Sequence, residues 1–241
     1  MDKILITREY EDSKRLRDRL KALGYFPIIF PTIKTVPLEF NTENMTDYDV
    51  YIFGSRKGVK YFFEKIKDLN SFKDKKFIAV GEKTASELRK LGFSDVLIPD
   101  EYNSLGVLKL IKDNWQYFKD KKIIFPKSKI GVDLLEKSLP NVKPIYVYNT
   151  VFNKPDNIRN VEDLLKRKEI SITIFTSPST FLGFKNIFKY NWKNYLENTN
   201  IISIGKTTYK KLKKENLNKI FIPEKATEEE IIKLIEKISL S

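Results

Sequence analysis

Short runs of consecutive apolar residues alternate along this chain with longer stretches in which apolar residues recur every three or four positions. The short runs are Lys3–Thr7, Pro27–Phe30, Val50–Phe53, Phe77–Val80, Val96–Ile98, Lys122–Phe125, Ile145–Tyr148, Ile172–Phe175, Ile201–Ile204 and Ile220–Ile222. Dominated by apolar residues and three to five residues long, they read as strands buried on both faces. Between them lie helical patterns. Leu16, Leu20 and Leu23 share one face of Ser13–Leu23, which stops at Gly24, a favoured C′ residue. Ala85, Leu88 and Leu91 mark another helix after Gly81, and Val107, Leu108 and Ile111 a third after Ser104. A final helix starts near Thr227. Strand, helix and strand joined by short turns is the βαβ unit, which requires a parallel sheet.

The units repeat in sequence as well as in type. A shift of 124 lays residues 78–111 on 202–235 without a gap. Gly81, Thr84, Leu88, Ile98 and Pro99 then fall on Gly205, Thr208, Leu212, Ile222 and Pro223. A shift of 122 lays Ile52-Phe53-Gly54-Ser55 on Ile174-Phe175-Thr176-Ser177. Matching Ile and Lys is weak evidence in a chain rich in both, but aligned Gly, Thr and Pro are punctuation with positional roles. Two α/β lobes of about 120 residues each are expected.

Composition narrows the chemistry. The 241 residues hold no Cys and no His, so disulfides, thiol nucleophiles, Cys/His metal sites and His-dependent triads are excluded. Acid–base work falls to Asp, Glu, Lys, Tyr or water. No apolar run is long enough to cross a membrane, and the start Met1-Asp2-Lys3 is not that of a signal peptide. A cytoplasmic protein is the expectation. The formal charge of +13 would attract an anionic partner, but the Lys residues are spread along the whole chain, as compositional bias would also spread them. There is no P-loop and no GxGxxG motif.

In parallel sheets ligands bind beyond the carboxyl ends of the strands, where helix N-termini offer unpaired N–H groups. The turns there carry Ser55, Thr84, Ser104, Ser128, Ser177 and Thr208, with Lys127 beside Ser128. Each hydroxyl could serve its own helix as an N-cap. Together they favour a ligand rich in carboxylates or phosphates.

The segments Ile4-Leu5-Ile6-Thr7-Arg8, Ile52-Phe53-Gly54-Ser55-Arg56-Lys57-Gly58-Val59 and Ala79-Val80-Gly81-Glu82-Lys83-Thr84-Ala85 resemble the uroporphyrinogen-III synthase family. So do Val147-Tyr148-Asn149-Thr150, Ile174-Phe175-Thr176-Ser177-Pro178-Ser179 and Ile204-Gly205-Lys206-Thr207-Thr208, in family order across nearly the whole chain. The family's usual Thr-Ser in the second segment is Gly54-Ser55 here.

The resemblance implies an α/β fold of two pseudo-symmetric lobes, each a parallel sheet flanked by helices, joined by two extended linkers. One lobe would comprise residues 1–35 and 153–241, the other 36–152, with an active-site cleft between them. The implied reaction cyclises hydroxymethylbilane, a linear tetrapyrrole with eight carboxylates, with loss of water and inversion of ring D. It needs no cofactor or metal. The resemblance makes Tyr148 the proton donor to the departing hydroxyl; a Tyr on a strand could equally be a packing residue. The expected substrate contacts are Thr7, Arg8, Ser55, Arg56, Gly81, Thr84, Ser104, Lys127, Ser128, Ser177, Ser179, Gly205, Thr207 and Thr208. A monomer without nucleic-acid or membrane partners is expected, with a possible transient hand-over from hydroxymethylbilane synthase. Two other readings stay open: a non-catalytic two-lobed binding protein for an anionic small molecule, and a nucleic-acid binder favoured by charge alone.

Overall fold

In the computed structural model, which describes residues 2–131 and 133–240, the chain divides into two compact units, Met1–Lys34 with Val151–Ser241, and Thr35–Thr150. The first segment holds β1 (Lys3–Ile6), α1 (Tyr10–Ala22) and β2 (Phe26–Ile29), and β3 (Ile33–Pro37) leads into the second unit. There follow β4 (Val50–Phe53), α2 (Arg56–Phe63), β5 (Lys76–Ala79), α3 (Glu82–Lys90), β6 (Val96–Leu97), α4 (Ser104–Asp113) and α5 (Trp115–Phe118). That unit continues through β7 (Ile123–Ser128), α6 (Leu134–Ser138) and β8 (Val142–Phe152), which carries the chain back to the first. The first unit is completed by α7 (Ile158–Lys166), β9 (Ile170–Phe175), α8 (Pro178–Phe188), α9 (Trp192–Glu197), β10 (Asn200–Ser203), α10 (Lys206–Lys213), β11 (Ile220–Phe221) and α11 (Glu228–Ser239).

The sheet of the first unit has the order β11-β10-β9-β1-β2, all parallel. The other sheet has the order β3-β8-β7-β4-β5-β6, parallel from β8 to β6. Setting β3 aside, the two orders superpose: β7 and β8 occupy the places of β1 and β2, and β4, β5 and β6 those of β9, β10 and β11. The sequence repeat is therefore a repeat of topology. The early strand β1 completes the later unit by lying between β2 and β9.

Each sheet is covered on both faces, as the apolar residues on both sides of its central strands require. In β4, Val50 and Ile52 pack toward Val107, Ile111 and Leu135 of α4 and α6. Tyr51 and Phe53 point the other way, to Val59, Phe62, Ala85 and Leu88 of α2 and α3. In the first unit Ile4 and Ile6 meet Leu16, Leu20, Ile231 and Ile235 of α1 and α11. Leu5 and Phe175 meet Phe181, Phe184 and Leu212 of α8 and α10. Fully burying one such side chain is worth about 1.5–3 kcal/mol.

The ends of α1 and α11 follow their caps. Gly24, at φ +84°, closes α1, with Gly24 N–H donating to Lys21 O and Tyr25 N–H to Leu20 O. Thr227 accepts the Glu230 N–H and opens α11. Gly183 of α8 answers a different need: a Cβ there would lie 2.4 Å from the Thr32 carbonyl oxygen, so the helix and the strand exit touch only because no side chain intervenes.

Three boundaries differ from the sequence reading, and four helices go beyond it. Where the first of the two expected extended linkers leaves residues 1–35, the chain forms a paired strand, β3. The strand expected at Ile145–Tyr148 runs for 11 residues. Strand β7 extends to Ser128, so Lys127 and Ser128 lie in a strand and not in a strand-to-helix turn. Helices α5, α6, α7 and α9 had no counterpart in the apolar pattern.

Candidate functional site

Both sheets carry helices from opposite faces on neighbouring central strands. In the first unit α1 follows β1 onto one face and α8 follows β9 onto the other. In the second, α6 follows β7 onto one face and α2 follows β4 onto the other. Such a switch opens a crevice at the carboxyl ends of the two strands, where ligands of open α/β sheets bind.

At the switch of the second unit four hydroxyls form two linked pairs. Ser55, half-buried just past β4, is the N-cap of α2 and accepts the Gly58 N–H at 3.1 Å. Its Oγ lies 3.0 Å from the Tyr148 hydroxyl. Tyr148 sits on β8 at the level of Ser128, the last residue of β7. Its ring packs on Tyr61 of α2 with centroids 5.5 Å apart, and the Tyr61 hydroxyl lies 3.0 Å from Thr35 Oγ1. Burial raises the Tyr148 phenol above its ordinary value, the Ser55 hydrogen bond pulls it back in part, and Tyr61 adds to the rise. It is therefore a neutral hydrogen-bond donor at neutral pH. Either hydroxyl can donate across this pair, because Ser55 Oγ keeps a second lone pair after accepting from Gly58. In the arrangement in which Ser55 donates, the phenol proton is free for a ligand and a developing phenolate keeps one hydrogen bond.

Lys57, in the first turn of α2, has its ammonium pushed down to about 8 by burial, with Lys60 adding to it. Arg56 beside it is exposed. A Cβ on Gly54 would meet the Phe125 ring at 3.5 Å, an ordinary contact, so sterics do not dictate glycine there.

The next turn over is the N-terminus of α3. Gly81 is its N-cap and has no side-chain cap, and its carbonyl accepts the Thr84 and Ala85 N–H groups. A Cβ on Gly81 would meet the Tyr102 ring at 3.1 Å, so this mouth is partly covered. The equivalent turn of the first unit is Gly205 before α10, with nothing within 4 Å of its missing Cβ. Thr84 and Thr208, at matching positions, are 5% and 3% exposed, and their hydroxyls have no hydrogen-bond partner among the described residues. Thr207 is exposed.

At the switch of the first unit, Ser177 caps α8 in a reciprocal box with Thr180, and its Oγ lies 2.8 Å from Ser179 Oγ. Other predicted contacts are spent inside the fold. Thr7 is fully buried and donates its hydroxyl to Ile174 O at 2.7 Å, so it has none to offer a ligand. Arg8 Nη2 pairs with Glu228 Oε1 of α11 at 2.6 Å. Lys127, 5% exposed, is held by Asp133 at 3.0 Å and by Glu136 of α6. Both cations are thus compensated by carboxylates of their own unit. Ser104 is the first residue of α4 and not its cap; Asn103 Oδ1 accepts the Gly106 N–H instead. Ser128 Oγ accepts from Ile130 N–H in a turn and opens no helix.

The structure thus joins Ser55 to Tyr148 and Ser177 to Ser179, and leaves Thr84, Thr208, Gly81 and Gly205 with unspent polar groups. It adds Tyr61, Thr35 and Lys57. Lys57 stands inside one of the quoted family segments but had no role assigned to it, and Tyr61 and Thr35 lie in none of those segments.

A family profile described as HEM4, uroporphyrinogen-III synthase HemD, matches residues 14–233. The chain is 30% identical to a putative uroporphyrinogen-III synthase of Methanocaldococcus jannaschii, over 98% of each chain. Its fold matches the crystal structure of uroporphyrinogen-III synthetase from Helicobacter pylori with a TM-score of 0.69 at 21% identity, covering 99% of this chain and 100% of that one. A mutant uroporphyrinogen III synthase of Thermus thermophilus matches with a TM-score of 0.64 at 16% identity, covering 100% and 99%.

Proposed function

The chain belongs to the uroporphyrinogen-III synthase family, and we propose that it acts as a cyclising hydro-lyase on hydroxymethylbilane, using Tyr148 as the proton donor. The family places it among the enzymes of heme biosynthesis. The observation that carries the mechanistic reading is the Ser55–Tyr148 hydroxyl pair at the switch of the second unit.

The chemistry asks little of the protein. The C–O bond of the terminal hydroxymethyl group breaks as the Tyr148 phenol gives its proton to the leaving oxygen, and water departs. The azafulvenium that remains is electrophilic at its exocyclic methylene, and the substituted carbon of ring D, an electron-rich pyrrole, attacks it there. The resulting spiro intermediate fragments and recloses with ring D inverted. The phenolate recovers its proton from the ring D carbon that has formed the final bond, which restores that ring as an aromatic pyrrole. Ser55, by donating to the Tyr148 oxygen, supports the charge in the interval. Orientation of the bound chain end supplies the rest, since positioning alone can be worth several kcal/mol.

Eight carboxylates on a flexible ligand call for many distributed donors. The open cap at Gly205, the turn at Gly81 and the unpartnered hydroxyls of Thr84 and Thr208 suit that demand. The test is direct. Purified protein given hydroxymethylbilane, with a chelator and no additive, should yield isomer III. Isomer I alone, the product of spontaneous closure, would overturn the assignment.

A further inference from the structure

Helices α3 and α10 occupy the same place in the two units and share a glycine cap and a buried threonine, yet their charges differ. Helix α3 carries Glu82, Lys83, Glu87, Arg89 and Lys90, and two of its cations are paired within the helix, Arg89 with Glu82 and Lys90 with Glu87. Helix α10 carries Lys206, Lys210, Lys211 and Lys213, with Lys214 at its C-cap and no acid. Lys206, Lys210, Lys213 and Lys214 are exposed, and none of the five lysines has an ion-pair partner among the described residues. Neighbouring Glu215 is already held by Lys185 at 2.8 Å. Elsewhere on the surface lysines such as Lys109, Lys166 and Lys233 do have carboxylate partners.

An uncompensated row of ammonium groups costs self-repulsion, and this row runs back from the open cap at Gly205 and the unpartnered Thr208 hydroxyl. We propose that the solvent face of α10, chiefly Lys206, Lys210 and Lys213, is an electrostatic capture surface that draws the polycarboxylate substrate toward the Gly205–Thr208 turn. The inference rests on the substrate assigned above. Its role is kinetic. Fields of this kind raise association rates by about 10–10³-fold and are screened by salt. Because free hydroxymethylbilane closes on its own to isomer I, faster capture shows directly as a higher ratio of isomer III to isomer I.

The experiment compares three triple variants with the unaltered protein. Lys206→Gln/Lys210→Gln/Lys213→Gln removes the charges and the matching Arg triple keeps them. Lys109→Gln/Lys166→Gln/Lys233→Gln removes as many charges elsewhere. For each, kcat/KM and the isomer ratio are measured from about 0.01 M to about 0.15 M ionic strength, over which the Debye length falls from about 30 Å to about 8 Å. The α10 glutamine triple should lose about tenfold in kcat/KM at low salt and most of its salt dependence, and release more isomer I. The arginine triple should restore both, and the distant triple should stay within about twofold of the unaltered protein. An α10 triple that keeps the original rate and salt slope overturns the inference. So does a distant triple that loses as much, since the effect would then belong to net charge. An effect seen only when hydroxymethylbilane synthase supplies the substrate also overturns it, in favour of an acidic protein partner. An unaltered protein that forms only isomer I at every salt concentration overturns the activity and this inference with it.

Discussion

Removing the Tyr148 hydroxyl, alone and together with that of Ser55, tests how the candidate site works. Tyr148→Phe deletes one hydrogen bond, 3.0 Å long, and leaves the ring packed on Tyr61. Ser55 keeps the Gly58 N–H, so the cap of α2 survives, and only the half-buried Ser55 hydroxyl loses a partner. The net loss of one neutral hydrogen bond is about 0.5–1.5 kcal/mol, and the unfolding free energy should fall by no more than that. If the phenol donates to the leaving oxygen in the transition state, the same range predicts a kcat lower by about 2- to 13-fold, with product affinity and isomer III fraction preserved. Ser55→Ala removes the cap as well and should cost about 0.5–2 kcal/mol of stability. In rate it acts only through Tyr148. It should therefore slow the unaltered enzyme but leave the Tyr148→Phe background unchanged. Initial rates of isomer III formation for the four proteins close the double-mutant cycle. Equal slowing by Ser55→Ala in both backgrounds would refute the coupled pair and make Ser55 an independent substrate contact.

Thr84→Val and Thr208→Val replace hydroxyls that have no protein partner, so stability should change by less than about 1 kcal/mol while substrate affinity falls, and the double change should lose more than either; unaltered kinetics in all three would place the ligand elsewhere. Gly183→Ala forces a Cβ to within 2.4 Å of Thr32 O and should cost about 1–3 kcal/mol, read as a lower urea midpoint with an unchanged m-value. Burial holds Lys57 at about 8 against an ordinary 10.5, so between those values the unfolded chain binds the extra proton and stability from this residue rises with pH. Urea midpoints of the protein and of Lys57→Met should therefore differ by an amount that shifts in favour of the unaltered protein from pH 8 to pH 10. Burial raises Tyr51 and Tyr148 instead, so above pH 10 the unfolded chain loses protons that the fold retains and stability should fall; Tyr51→Phe should blunt that fall.

The strands were legible because their residues are apolar on both faces and their ends carry Gly, Ser or Pro. Gly24, Ser55, Ser177 and Thr227 do what their positions imply. Strand β7 misled for a physical reason. Pro126 reads as a terminator, but β4 pairs with β7 only at Ile123 and Ile124, so beyond them the missing N–H of proline costs no bond on that side. Lys127 was legible as a cation near the carboxyl edge; its neutralisation by Asp133 and Glu136 depends on how the turn after β7 folds back. Ser55 and Tyr148 stand 93 residues apart, and nothing local tells one of them that the other is its partner. Family resemblance supplied the two names, and the parallel order of β8, β7 and β4 supplies their meeting.

The placement of β1 between β2 and β9 has a consequence for the order in which the protein is made. Ile6 pairs with Ile174. At about 5–20 residues per second, the chain between them takes roughly 8–34 s to leave the ribosome. The second unit has every one of its strands by Phe152 and can close while the ribosome is still working. Throughout that time Ile4, Leu5 and Ile6, which end with no exposed surface, have only α1 and β2 for company, and one side of β1 is an unpaired edge. A strand that emerges early is thus held open for a neighbour that emerges late, and the nascent chain is most vulnerable to mispairing at a point far from where synthesis is then occurring.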